Sequence, residues 1–468
     1  MKKKYDTLKN INKIHLIGIG GVSMSGIAIM LKKAGYIVTG SDKHDGDMIN
    51  ILKENDIPVY IGSNAELVKD ADVVVYTSAI NQHDPEFVRA KALNIPTFER
   101  AKFLGLLLKC YKTPICISGT HGKTTTTSMT AAIFIDANYD PNIQIGGKFK
   151  KLDNRNYRIG DSEYFILESC EYVDSFLNFP HHTATILNID EDHLDYFSGI
   201  DEIKSSFKKF ILMLPKNGYL ILNQDDINCM AVYDEIKDEI KRNEIKVFTF
   251  SLSEPTATIY AKNISCNIKG FYSFDIIEPE TLQKHSFYLT VPGIHNVYDA
   301  LGAITTAYAH GIKISQMRKS LNEFCGAKRR FELKKDLGNN ILVYDDYAHH
   351  PTEVKATLSA AKQKEHNRVI AIFQPHTYSR TKELLNDFST SFSDADIVII
   401  TDIYAAREVD DGTISSQDLV NLLRKHKVNA IHISKFDDIA KYIKENMQQK
   451  DVILTIGAGD ITHLSELL

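Results

Sequence analysis

Ile117-Ser118-Gly119-Thr120-His121-Gly122-Lys123-Thr124-Thr125-Thr126 is the stretch on which the fold turns. An apolar run over 114–118 leads into a turn with two glycines, and an amphipathic helical segment follows over 128–138. Backbone N–H groups at a helix N-terminus hold phosphate oxygens, a lysine there neutralises phosphate charge, and a threonine hydroxyl reaches Mg²⁺. The spacing is Gly-x-x-Gly-Lys-Thr, two residues shorter than the common phosphate-loop pattern, so the flanking strand and helix carry the reading. The alternative is an ordinary strand–helix turn with an incidental lysine.

Outward from this loop, short β-branched runs alternate with helix-length segments. They fall at 13–19, 36–39, 59–61, 72–76, 164–167, 183–189, 341–344, 368–373, 396–401 and 452–456. That alternation predicts βαβ units and parallel sheets buried on both faces. Residues 245–292 lack a helical period, and alternating pieces at 258–260 and 286–290 read as antiparallel strands. With 468 residues, 43% of them hydrophobic, the chain is long enough for several cores. Three α/β domains are expected, at 1–108, 109–325 and 326–468.

A second glycine loop, Gly18-Ile19-Gly20-Gly21-Val22-Ser23-Met24-Ser25-Gly26, follows the first run. It is close to a dinucleotide fingerprint, but Ser23 stands in place of the third glycine, and Asp42 falls where an acid meets a ribose hydroxyl. A nucleoside diphosphate is the ligand expected, with NAD one candidate and a ligand-free turn the alternative. Acidic groups close two further strands, at Glu168-Ser169-Cys170-Glu171 and at Asn188-Ile189-Asp190-Glu191-Asp192-His193. Beside a phosphate loop, a hard oxygen ligand such as Glu171 suits Mg²⁺, whereas His193 is less typical. His295-Asn296 opens a helix, with Asn296 as its cap. In the last third, polar loops follow four strands, at 344–352, 374–380, 402–408 and 457–460, tracing one sheet edge as a binding face.

The net charge of −5 offers no electrostatic footprint for nucleic acid or an anionic membrane. No apolar run approaches membrane-spanning length, and the lysine-rich start is not a secretory signal. Six cysteines without metal spacing predict reduced, mostly buried thiols in a cytoplasm.

In this order the motifs resemble the Mur ligase family along essentially the whole chain. The residues that carry the likeness are Gly-Ile-Gly-Gly-x-x-Met-Ser-Gly-Ile-Ala at 18–28 and the short Gly-Thr-His-Gly-Lys-Thr loop at 119–124. Asp-Tyr-Ala-His-His-Pro-Thr at 346–352, Gln-Pro-His-x-Tyr-x-Arg at 374–380 and Asp-Ile-Tyr-Ala-Ala-Arg-Glu at 402–408 add to it.

The resemblance implies a three-domain α/β enzyme: Rossmann-like, then phosphate-loop ATPase-like with a mixed sheet, then Rossmann-like again. It implies ATP-dependent joining of L-alanine to UDP-N-acetylmuramic acid through an acyl phosphate, in a monomer or weak homodimer. UDP-sugar contacts would be Gly18, Gly20, Gly21, Ser23, Met24, Ser25, Asp42, Ser78, Glu99 and Arg100. ATP contacts would be Gly119, Thr120, His121, Gly122, Lys123, Thr124, Thr125, His295, Asn296, Arg330 and Asp345. Mg²⁺ would take Thr124, Glu171 and His193, and His349, His376 and Arg380 would face the alanine. Lys123, His193 and Arg330 complete the implied catalytic set. Two residues depart from the family's habit: Cys170 stands where an aspartate is common, and Asp299 where an asparagine is usual. The rivals are a ligase that attaches a tripeptide to the same sugar, an NAD-dependent oxidoreductase, and a non-catalytic nucleotide sensor.

Overall fold

The computed structural model describes residues 5–77, 80–406 and 408–468, and the expected contact Ser78 lies outside them. Three sheets organise the chain, each with its own order of strands. The first has five parallel strands, in the order Val59–Ile61, Ile37–Asp42, Lys13–Ile17, Val73–Tyr76 and Thr97–Glu99. Strand order reverses beside Lys13–Ile17, which places the 18–21 loop at the switch point, where such sheets bind ligands.

The central sheet has ten strands. Its middle is Tyr164–Glu168, Thr113–Ser118, Thr183–Ile186, Tyr219–Asn223 and Lys246–Ser251, all parallel. Beyond Lys246–Ser251, the strand Ile259–Cys266 still runs parallel. Phe271–Ile277 and Lys284–Pro292 then pair antiparallel, as their alternating sequence predicts. The register sets Ile117 beside Glu168 and Ser118 beside Ile186. Three chain segments read separately in the sequence therefore emerge at one sheet edge.

In the third sheet, Leu342–Asp346, Val452–Ile456, Val369–Phe373, Ile397–Ile400 and Ala430–His432 are parallel, with Glu332–Asp336 antiparallel at the edge. Asp346, Ile456, Phe373 and Ile400 stand in register, so the polar loops that follow them share one rim.

Polar contacts join the domains. Gln144 Nε2 donates to Ser23 Oγ at 2.5 Å, and Asn156 Nδ2 to the Val22 carbonyl at 3.0 Å. Helix Arg100–Leu108 lies so close to the central domain that a Cβ on Gly105 would stand 2.0 Å from the Asn178 carbonyl oxygen. On the other side, Glu365 N–H donates to the Ile268 carbonyl at 2.8 Å, and Tyr272 O–H to Gln363 Oε1 at 3.0 Å.

Several local expectations need correction. The phosphate-loop helix is Lys123–Asp136, five residues earlier than the apolar period alone suggested. Helix His295–Ala309 has Ile294 at its cap position, and Asn296 lies inside the first turn, where its amide donates to the Pro292 carbonyl. The thiols are not mostly buried: Cys116 and Cys229 are, Cys110 and Cys170 are half-buried, and Cys266 and Cys325 are exposed. Among the described residues no helix is long and apolar enough to cross a membrane.

Candidate active site between the central and C-terminal domains

The phosphate loop is held in shape by the protein's own groups. Gly122 has φ +82°, and a Cβ there would stand 2.2 Å from Asp299 Oδ1, so a side chain is excluded twice over. Asn188 braces the loop: its Oδ1 accepts from the His121 N–H at 2.7 Å, and its Nδ2 donates to the His121 carbonyl at 3.1 Å. Lys123 Nζ donates to the carbonyls of Gly119 (2.6 Å) and Thr120 (2.9 Å) and pairs with Glu171 Oε2 at 3.0 Å. Burial works against that ammonium, but the Glu171 carboxylate outweighs it and the pKa moves up. Lys123 is a fixed cation. Thr124 Oγ1 donates to Glu168 Oε1 at 2.9 Å, and Glu168 Oε2 accepts from the Gly146 N–H at 2.6 Å.

The loop opens on a cavity of about 440 Å³. His121, Gly122 and Thr125 form one end, and His295, Asn296, Tyr298 and Asp299 one wall. Arg330, Asp346, Thr352 and Glu353 of the C-terminal domain close it. Burial raises Asp299 to about 7 and Asp346 to about 6, and lowers His295 to about 4. Burial also works to lower Arg330, but the Glu353 and Asp346 carboxylates carry its pKa upward.

Asp345 does not line this cavity. Fully buried, it accepts from Arg329 Nε, Thr455 Oγ1 and Thr462 Oγ1, while its neighbour Asp346 lines the cavity wall. Successive strand residues point to opposite faces, so of the neighbouring pair it is Asp346 that faces the cavity.

Beside the cavity, Arg380 Nη2 pairs with Asp192 Oδ1 at 3.2 Å and Nη1 lies 3.5 Å from His376 Nδ1. The His376 and His349 rings are 6.0 Å apart, and burial lowers each to about 4, so both imidazoles are neutral. His193 stacks on Tyr172 at 4.4 Å, and burial lowers it too. Glu171 and His193 are not drawn into one tight group of ligand atoms. Among the described residues, the group of three such side chains whose ligand atoms all lie within 4.8 Å of one another is His121, Asp190 and His350.

The first-domain loop uses its own polar groups. Asp42 Oδ2 accepts from the Gly20 N–H at 2.8 Å, and the Gly21 N–H donates to the Gly18 carbonyl. Ser23 Oγ accepts from Gln144 and from Arg100 Nη1, and Glu99 caps the helix Arg100–Leu108 through the Ala101 N–H. Met24 and Ser25 are buried in the helix Val22–Lys33. Sequence reasoning passed over Glu168, Asn188, Asp190, Asp346 and Glu353 as contacts. All but Glu353 lie within strand-end runs already singled out, and Glu353 follows one directly.

Comparisons with known proteins identify the family. Residues 13–112 match the Mur ligase family catalytic domain, 117–307 the Mur ligase middle domain, and 329–459 the Mur ligase glutamate ligase domain. The chain belongs to the Mur ligase family. It is 45% identical over 97% of its length, and 95% of the relative's, to the UDP-N-acetylmuramate–L-alanine ligase of Acetivibrio thermocellus. Against the enzyme of the same name from Clostridium perfringens it is 45% identical, over 99% of both chains. Its fold matches the crystal structure of UDP-N-acetylmuramate-alanine ligase from Thermotoga maritima with a TM-score of 0.79, 28% identity and 97% of each chain covered.

Proposed function

We infer that this chain is an ATP-dependent ligase that joins L-alanine to the carboxylate of UDP-N-acetylmuramic acid, a step of peptidoglycan synthesis. The observation that carries the reading is the braced Gly119–Lys123 loop, opening on a cavity closed by a second domain with its own Arg and His cluster. Residues 1–108 take the UDP part, 109–325 the ATP and 326–468 the amino acid.

In the first step a carboxylate oxygen of the sugar attacks the γ-phosphorus of ATP, forming an acyl phosphate as ADP leaves. Phosphoryl transfer asks the protein mainly for positioning and charge. Lys123, already cationic, exchanges Glu171 for phosphate oxygens, and Arg330 brings a second charge from the domain junction. His295 and Asn296 line the wall for the base. In the second step the alanine amine attacks the acyl carbon and phosphate leaves through a tetrahedral intermediate. His349 and His376, held neutral by burial, do not repel an incoming ammonium. Arg380 takes the alanine carboxylate in exchange for Asp192, because a guanidinium fork matches a carboxylate in two bonds.

The donor set suits Mg²⁺: the Thr124 hydroxyl and the Glu171 carboxylate are hard oxygens, Glu168 adds another, and His193 stands nearby. Both carboxylates now have protein partners, Lys123 and Thr124, that a cation would replace. When bound, the metal supplies charge neutralisation at the phosphates.

The test is phosphate release by the full chain with ATP, UDP-N-acetylmuramic acid and, in turn, single amino acids or the tripeptide. L-Alanine should be the preferred acceptor. Turnover with the tripeptide alone would assign the recycling reaction, and hydride transfer from NADH would end the ligase reading.

A further inference from the structure

The closing face of the cavity is fastened by one side chain that neither the motifs nor the proposed steps use. Glu353 is the third residue of helix Pro351–Lys362, and its carboxylate faces two ways. Oε1 lies 3.4 Å from His121 Nδ1, on the phosphate loop of the central domain. Oε2 accepts from the His349 N–H at 3.0 Å and lies 3.3 Å from His349 Nδ1. Glu353 and His121 are both about 85% covered, their side chains keeping 14% and 15% exposure.

Other bonds cross the same seam. Thr352 Oγ1 donates to Asp190 Oδ2 at 3.0 Å, His350 Nε2 meets the Glu191 carbonyl at 2.8 Å, and Arg380 meets Asp192. These end on the 190–192 loop, whereas Glu353 reaches the phosphate loop itself.

We propose that Glu353 is a positioning residue that locks the C-terminal domain over the phosphate loop, tying the nucleotide end of the cavity to its amino-acid end through His121 and His349. This rests on the ligase reading for what occupies each end. The consequence is chemical. An acyl phosphate survives only while water is kept from it, and hydrolysis returns the sugar carboxylate and free phosphate without making an amide. A domain that closes loosely should therefore waste ATP as well as slow the reaction.

Charge supports the fastening role. His121 would be pushed down by burial, but Asp190 and Glu353 carry it to about 9, while Glu353 lies well below the usual carboxylate range. The contact is a charged, hydrogen-bonded pair in a largely dry seam, where truncating one member costs more than at a surface. The competing explanation is local: a Glu at the third helical position can simply hold the helix start, as in a capping box. Gln does that equally well but carries no charge to His121.

The deciding variant is thus Glu353→Gln in the full chain, with Glu353→Ala beside it. Measured are amide product, phosphate, the three KM values and a melting curve. Glu353→Gln should melt near wild type and keep its KM for the nucleotide sugar. Its kcat/KM for alanine should drop about 10- to 100-fold, the scale of a small misplacement of reacting groups. Phosphate released per amide, one in wild type, should rise above one. A ratio of one with near-wild-type kcat/KM overturns the proposal. So does a melting loss in which all constants drift together, which marks a merely structural residue. Wild type that forms no amide with alanine sinks the ligase reading itself and takes this role with it.

Discussion

Two glycine loops follow the first strand of two successive domains, and they are finished in opposite ways. In the 18–26 loop the bonds that close it are local, and its seam to the next domain is neutral: the Gly21 N–H goes to Gly18, the Gly20 N–H to Asp42, and the Ser23 hydroxyl accepts from Arg100 of its own domain and, across the seam, from the Gln144 amide. In the 119–124 loop the groups are charged and partly compensated by groups a ligand would displace: Lys123 leans on Glu171, His121 on Asp190 and Glu353, and Asp299 is pressed against Gly122. The first loop is a shape with its polarity spent. The second holds unlike charges at burial cost, which is how a protein keeps electrostatic groups preorganised for phosphate.

The comparison breaks most visibly at Lys123. Lys123→Ala should lower turnover by about a thousandfold or more, the scale on which charge stabilisation acts in phosphoryl transfer. Circular dichroism and binding of the nucleotide sugar should stay near wild type. Substantial residual turnover would make the second loop as passive as the first.

The next effect sharpens the cost of charge. Burial lifts Asp299 from 3.8 to about 7, so the fold disfavours its ionised form. An acid raised on folding weakens stability as pH climbs from its unfolded value to its folded one, and the full penalty is present above the latter. Asp299→Asn removes that penalty and still accepts from Thr126 Oγ1. It should gain a few kcal/mol at pH 8 and about a third of that at pH 5. Equal gains in melting stability at the two pH values would show that the carboxyl does not titrate in this range.

The smallest effect is expected in the first loop. Ser23→Ala removes the acceptor of the neutral Gln144 amide and of the longer Arg100 contact, worth about 1–2 kcal/mol of stability. The KM for the nucleotide sugar should move less than about threefold. A rise of tenfold or more would make Ser23 a ligand contact instead of part of the seam.

What the sequence made legible follows distance along the chain. Strand–loop–helix order, the parallel core and the antiparallel strand over 286–290 are periodic signals, and they appear where the pattern put them, whereas 258–260, read as antiparallel, pairs parallel with Lys246–Ser251. Boundaries slipped where a cap or a turn overrode the period: the Lys123–Asp136 helix starts directly after left-handed Gly122, among threonines that carry no apolar signal. Asp345, expected at the nucleotide, lies off the cavity while Asp346 lines it, because an acidic pair at the end of a strand does not announce which carboxyl faces inward. Glu353 was invisible for another reason. Its partner His121 is 232 residues away, on a different domain, and no local pattern reports such a meeting.

The hairpin turn at 267–270 also has a consequence for motion. The C-terminal domain is joined to the central one by the covalent crossing near residues 326–331, and a second time where Lys269 and Ile268 pair with Lys364 and Glu365. A rigid body pinned at two points keeps one freedom, rotation about the line through them. An opening about that line would carry Glu353, His350 and Arg380, as the leaf of a door, away from His121 and the 190–192 loop, as its jamb. An inhibitor wedged at the jamb would need to hold the swing open by only a few ångströms to disengage the contacts at its free edge.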